Sequence, residues 1–325
     1  MNIRDRHALK TAAGEALSAA PNNRILVLIS AGVAAASALL VSLLTFLLDG
    51  QIAQTSGLGG LGLRSVLSTV QSLLSMGVGL LLPFWSLGYV SAVLKLSRRE
   101  PAVPGTLLDG FRRFGPALRL LFLKEIIYVG VMMLCIYAGG AIFSFTPLAA
   151  PLYEIMLPLL TEGAAPDAAT QAAMLEAMLP MAIGILVLCC IVLIPLSYRF
   201  RMAQLRLMDD SACGARMALR DSSRMMRRNC FALFRLDLSF WWFYLAQGIV
   251  MLLGYGDVLF AALRINLPFS DNTAFFVFYV IGLLAQLVLY YYTQNFVQVT
   301  YAKAYDALRE PPVQQPQSVS VPWNY

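Results

Sequence analysis

The sequence predicts an all-α membrane protein: a polytopic helix bundle of about six transmembrane helices joined by short amphipathic interfacial helices. Three observations predict it. Of 325 residues, 59% are hydrophobic and only 13% are charged, whereas an ordinary soluble domain carries about 25% charged residues. Apolar runs of bilayer-spanning length recur six times, at about 25–48, 65–94, 117–145, 179–198, 234–263 and 274–299. Lys and Arg crowd alternate connecting segments: 21 of 24 fall in 1–24, 95–119, 197–235 and 301–325, and two, Arg64 and Arg264, fall in the others. That asymmetry places both termini in the cytoplasm and predicts a multi-pass protein of the cytoplasmic membrane. Residues 1–310 read as one membrane domain. The Pro-, Gln- and Ser-rich stretch 311–325 reads as a disordered cytoplasmic tail.

In chain order, Leu9, Ala13, Ala16, Leu17 and Ala20 recur at helical spacing, so the N-terminus begins with a short amphipathic helix that Pro21, Asn22 and Asn23 break. The apolar run that follows is about 24 residues long, too long for the h-region of a removable signal peptide. Residues 49–63 read as a Gly-rich outer loop. Their GLGGLG is not a nucleotide loop, because no strand precedes it and no acidic residue follows at the required distance. Pro83 is expected to kink the second span. In the basic segment after it, Thr106 and Asp109 resemble a capping box opening a short helix that carries Arg112 and Arg113. The third span holds Lys124 and Glu125 near its start. Residues 146–178 carry acidic residues and no Lys or Arg. They form the longest outer loop, with 166–178 as a short surface helix and 146–160 as either loop or re-entrant segment. The fifth span opens on Asp237 and an aromatic cluster. The sixth is polar near its inner end, with Gln294, Asn295 and Gln298.

The segment 211–245 organises the rest. At 100° per residue, Arg216, Arg220, Arg224, Arg227 and Arg228 share about a third of the circumference, opposite Ala215, Ala218, Leu219, Ser222, Met225 and Met226. Such a helix lies along anionic headgroups with its guanidinium groups toward phosphate, or else is a solvated loop that only enforces topology. On the first reading these arginines, with Arg112 and Arg113, are contacts to anionic membrane lipids.

Shifting the chain by 112 residues lays 107–125 over 219–237 without a gap, with Asp109 over Asp221, Arg112 over Arg224 and Glu125 over Asp237. With the N-terminus as a weaker third copy, the chain reads as three units, each an interfacial helix followed by two spans.

At LRDSSRMMRRNCFALFRLDLSFWWFYL the chain resembles a family of bacterial integral membrane proteins known only as a domain of unknown function. Ser222, Ser223, Met225, Met226, Asn229, Phe234, Leu236, Leu238, Ser239, Phe240 and Trp242 carry the likeness, together with LGYVSAVLKLSRRE, GFRRF and the closing AYDAL. The resemblance implies a polytopic inner-membrane fold up to about residue 310 and no known activity. The chain is also distantly similar to the membrane-anchoring domains attached to some glycerophosphodiesterases. The phosphodiesterase domain is missing, so no such activity carries over.

No GxSxG elbow, HExxH, Walker loop or CxxC appears, and the single histidine is His7. The five cysteines read as small buried apolar residues. No metal, cofactor or disulfide framework is expected. The charged groups border spans, so they do not indicate nucleic-acid binding. The expected function is non-enzymatic: lipid interaction, scaffolding or envelope homeostasis. The alternative is a small-solute or ion transporter whose path uses Glu125, Asp237, Gln286, Gln294, Asn295 and Gln298. Under the first, Glu125 and Asp237 pair with basic residues such as Arg119 and Arg235. Under the second, the polar residues converge on a water-accessible cavity.

Overall fold

A chain surrounded by hydrocarbon has no solvent partner for its amides, and the helical ladder satisfies them within one segment. In the computed structural model, which describes residues 5–20, 23–54, 58–162, 167–262 and 271–309, every regular element is helical. The first unit holds α1 (Arg6–Ser18), α2 (Asn23–Gln54) and α3 (Leu58–Ser97). A 3-10 turn over Pro104–Leu108 leads into the single turn α4 (Asp109–Arg112). Then come α5 (Phe114–Ser144), a second 3-10 turn (Pro147–Ala149), α6 (Ala150–Glu162), α7 (Ala168–Phe200) and α8 (Ala203–Asp209). The last unit holds α9 (Ala215–Met226), α10 (Cys230–Leu238), α11 (Trp241–Gly254), α12 (Gly256–Ala262) and α13 (Asp271–Leu308).

Five helices, in α2, α3, α5, α7 and α13, are long and apolar enough to cross a membrane, and α10 with α11 makes a sixth if the pair counts as one span. That pair is bent by 63°, so the fifth apolar run is not the straight span expected over 234–263. The break lies at Ser239, whose hydroxyl donates to the Leu236 carbonyl at 2.6 Å and whose own carbonyl accepts the Lys10 ammonium at 2.9 Å. Asp237, just before it, is held by partners on α7, α13 and the turn before α8, which turns α10 away from the line of α11.

Several boundaries differ from expectation. The Gly-rich stretch 49–63 is largely helical, since α2 runs to Gln54 and α3 starts at Leu58. The expected capping box does not form: α4 has no side-chain cap. Asp109 instead accepts from Ser91 at 3.1 Å and pairs with Arg112 at 3.0 Å and Lys95 at 3.5 Å. The expected surface helix over 166–178 is the start of α7, capped by Asp167, which accepts the Thr170 amide at 2.8 Å. Residues 150–162 form α6, which packs on α7. α13 continues past the expected end at 299 to Leu308. The loop before it and the tail 311–325 lie outside the described residues.

The core sits at one end. α3 has 40 residues, about 60 Å of helix against about 30 Å of hydrocarbon. Its buried side chains run from Phe84 to Ser97, and those of α13 gather between Asn295 and Tyr305. With Met202, Leu205 and Leu207, and the inner faces of α1, α9 and α10, they build two contiguous apolar clusters. This is also where the arginines lie, and we call it the basic end. Away from it the spans are mostly exposed, and none of the apolar window of α7 is buried.

The hairpins α2/α3, α5/α7 and α11/α13 each pack within themselves. The short helices that precede them interlock the units: α4 and its 3-10 turn pack on α3, α9 packs on α7 and α8, and α1 packs on α13. Each leading helix thus rests on the second span of the unit before it, and the first rests on that of the last, closing a ring. One joint is backbone against backbone: a Cβ at Gly88 would collide with the Leu107 carbonyl, and one at Gly110 with the Phe84 carbonyl. Only glycine allows α3 and the 3-10 turn to lie so close.

Candidate functional site

The basic helix α9 has the two faces expected of it. Ala215, Ala218, Leu219, Ser222 and Met226 are buried, while Arg216, Arg220, Arg224, Arg227 and Arg228 are exposed on or just past the helix. What covers the apolar face differs from expectation. It packs on protein, against α5, α7 and α8, rather than lying on lipid. Ser222 fixes it there by donating to the Arg199 carbonyl at 2.7 Å, and Arg199 donates to the Ser223 hydroxyl at 3.2 and 2.9 Å. The arginine face therefore stands at the foot of the exposed span α7, at a depth set by hydrogen bonds.

Arg112 is exposed and paired with Asp109. Arg113, also expected among the lipid contacts, is placed differently. It is half-buried and donates to the carbonyls of Leu207, Asp210 (2.8 Å), Ser211 (2.8 Å) and Cys213 (3.5 Å). These carbonyls lie in the last turn of α8 and in the turn that leads to α9, where the helical ladder is interrupted, and a guanidinium fork caps them.

The polar residues within the spans do not all converge on one cavity. Glu125 is exposed on α5. Asp237 is buried and pairs with Arg201 at 2.6 Å, not with Arg235. It also accepts from Tyr198 at 2.6 Å and from Tyr301, whose hydroxyl lies 3.0 Å from that of Tyr244. The Arg201 guanidinium lies 4.2 Å from the centre of the Tyr301 ring. Arg235 is exposed, because the turn of α10 that buries Asp237 carries its neighbour outward. Asn295 accepts from Tyr89 at 2.8 Å and donates to the Asn23 carbonyl at 2.5 Å, tying α3 and α13 to the start of α2. Gln298 lines a cavity of about 220 Å³ with Gln204 and with Arg201 and Tyr301, the partners of Asp237. Gln294 is half-buried on α13 and lines neither arrangement.

A second polar cluster was not anticipated from the sequence. Arg98 bridges Asp209 at 2.5 Å and Asp306 at 2.7 Å, and Asp209 also accepts from Arg309 at 2.9 Å and from the Tyr305 hydroxyl at 2.8 Å. These residues end α3, α8 and α13, the second span of each unit with α8 continuing α7. The signal was present, since LSRRE, RLMDD and AYDALRE each follow a span with charges of both signs. Nearby, Arg206 pairs with Asp210 at 3.3 Å and Asp221 at 3.0 Å, so the acidic residue of each copy of the repeat reaches the second span before it, Asp109 to Lys95 on α3 and Asp221 to Arg206 on α8. At the break in span five, Lys10 also lies 4.2 Å from the centre of the Phe240 ring, and burial, with the charge of Arg6, lowers its pKa.

Among the described residues no three His, Cys, Asp or Glu side chains gather as a metal ion would require. No curated protein and no solved structure matches the chain. A family model described as "Protein of unknown function (DUF975)" matches residues 1–311, as a helical chain with several membrane-length spans and the LSRRE, DSSRMM and AYDAL segments joined at one end would lead one to test, and the chain therefore belongs to that family.

Proposed function

We infer that the protein is a non-catalytic, multi-pass protein of the cytoplasmic membrane that binds anionic lipids through its basic end and holds that surface in a fixed orientation. One observation carries this reading: Arg199, Arg216, Arg220, Arg227 and Arg228 are exposed at the foot of spans whose apolar sides are also exposed. Each basic group near an anionic leaflet contributes about 1 kcal/mol. Such a surface supports a scaffolding or envelope-organising role, and the distant likeness to glycerophosphodiesterase anchoring domains fits a domain that holds something at a membrane. Transport is the weaker reading, because Glu125 stands apart on α5 and Asp237 and Asn295 are tied up in hydrogen bonds.

The test is lipid composition. Protein extracted in a mild detergent and purified should carry anionic glycerophospholipids enriched over the bulk membrane, measured by mass spectrometry of the extracted lipids. A co-purified lipid profile equal to that of the bulk membrane, together with solute uptake by proteoliposomes, would overturn the reading in favour of transport.

A further inference from the structure

The arginines of the basic end are not uniformly spread. A groove of about 510 Å³ between the end of α7 and the outer face of α9 is lined by Arg199, Arg220, Arg224 and Arg227, with Ser223 and Phe200, and no carboxylate lines it. The neighbouring cleft of about 550 Å³ is different. There Arg206, Arg224 and Arg309 share the walls with Asp210 and Asp221, so much of its positive charge is answered by the protein itself. Arg224 stands between the two, and with Arg199, Arg220 and Arg227 beside it the groove gathers positive charge in a concavity whose lining holds no carboxylate, which calls for a multiply charged anion.

The rest of the groove says which kind. Ser223 accepts two hydrogen bonds from Arg199, which leaves its hydroxyl proton to donate outward. Arg199 is the first charged residue after the uncharged run 177–198, which puts the groove at headgroup depth. On the Arg199 face of α7, Pro195 and Val192 are exposed and Leu196 and Leu188 are half-buried, an apolar track of the kind acyl chains cover. Guanidinium forks match phosphate oxygens, and the track suits the chains of the same molecule.

Building on the lipid-binding reading above, we propose that this groove is a discrete site for a glycerophospholipid whose phosphate headgroup carries two negative charges, with its acyl chains along α7. It is a site and not merely a share of a diffuse positive surface, so it selects among anionic lipids of equal amount.

The test uses the full chain in neutral detergent micelles at mildly alkaline pH, titrated with dioctanoyl phosphatidic acid (a phosphomonoester), dioctanoyl phosphatidylglycerol (a phosphodiester) or glycerol 3-phosphate, with bound ligand counted by native mass spectrometry. The protein is expected to bind the phosphomonoester lipid more tightly than the phosphodiester lipid, and glycerol 3-phosphate only weakly. Arg220→Gln/Arg227→Gln, which alters two exposed side chains of the groove, should weaken phosphomonoester binding about tenfold and erase the preference. Arg216→Gln/Arg228→Gln removes the same charge from the same region outside the groove and should keep the preference. Equal loss of preference in both variants, or no preference in the parent, overturns the discrete site while leaving general anionic-lipid binding intact. Binding of glycerol 3-phosphate as tight as that of the lipid overturns the acyl-chain part and makes the ligand a soluble phosphate. If the parent binds no anionic lipid at all, the underlying reading falls too.

Discussion

Asp209→Ala should loosen the meeting point of the three second spans. The Asp209 side chain is 2% exposed and accepts from Arg98, Arg309 and Tyr305 at 2.5, 2.9 and 2.8 Å. Removing one partner of a buried ion pair costs about 3–5 kcal/mol, because the remaining charge is left uncompensated. Here Arg98 keeps Asp306 at 2.7 Å, and Arg309 is 47% exposed and reaches solvent. The loss therefore falls to about 2–3 kcal/mol, including about 1 kcal/mol for the stranded Tyr305 hydroxyl. Asp306 is 28% exposed, and Asp306→Ala should cost about 1 kcal/mol. With both carboxylates gone Arg98 has neither, so the double variant should exceed the sum of the single losses by at least about 1 kcal/mol. Reversible unfolding of the micelle-bound protein by SDS, followed through tryptophan fluorescence, measures all three. Additivity within about 0.5 kcal/mol, or an Asp209→Ala variant as stable as the parent, would refute the reasoning and leave apolar packing and the Tyr89–Asn295 hydrogen bond to hold α3, α8 and α13 together.

Gly88→Ala should destabilise by about 1–3 kcal/mol in the same assay through overpacking, because its methyl meets the Leu107 carbonyl, whereas Gly79→Ala, with open space around it, should not. A loss shared by both would point to a general effect of altering α3. In a chain whose only cysteine is Cys213, burial pushes the thiol pKa up against the opposing pull of Arg206. The thiolate fraction is then small at neutral pH, so maleimide labelling should be slow in the folded protein, rise with pH and accelerate on unfolding. Rapid labelling of the native protein at pH 7 would contradict the burial.

The helices were legible because hydrocarbon demands long apolar segments, and no tertiary detail changes that demand. The edges were less so. Glycines at 57, 59, 60 and 62 signal a loop by local propensity, yet α3 starts at Leu58 and carries three of them before its apolar span begins. The two faces of α9 followed from spacing alone. That its apolar face meets α5, α7 and α8 instead of lipid did not, since periodicity says which side is hidden and not what hides it. Asp237 marked itself as a carboxylate at the mouth of a span, yet its partner Arg201 lies on another segment, and only the folding of α10 against α7 selects it over the adjacent Arg235. Arg113 looked like its neighbour Arg112 in the sequence. The ends of α8 make them different, one binding carbonyls and the other facing outward.

The closed ring has a temporal consequence. Leu9, Ala13 and Ala16 are fully buried, and α13 is one of the helices that cover them. During translation α1 emerges before the intervening helices and α13 after them, so α1 waits through their synthesis without this cover. A nascent chain halted before residue 271 should leave α1 open to proteases or to whatever shields it at the insertion machinery.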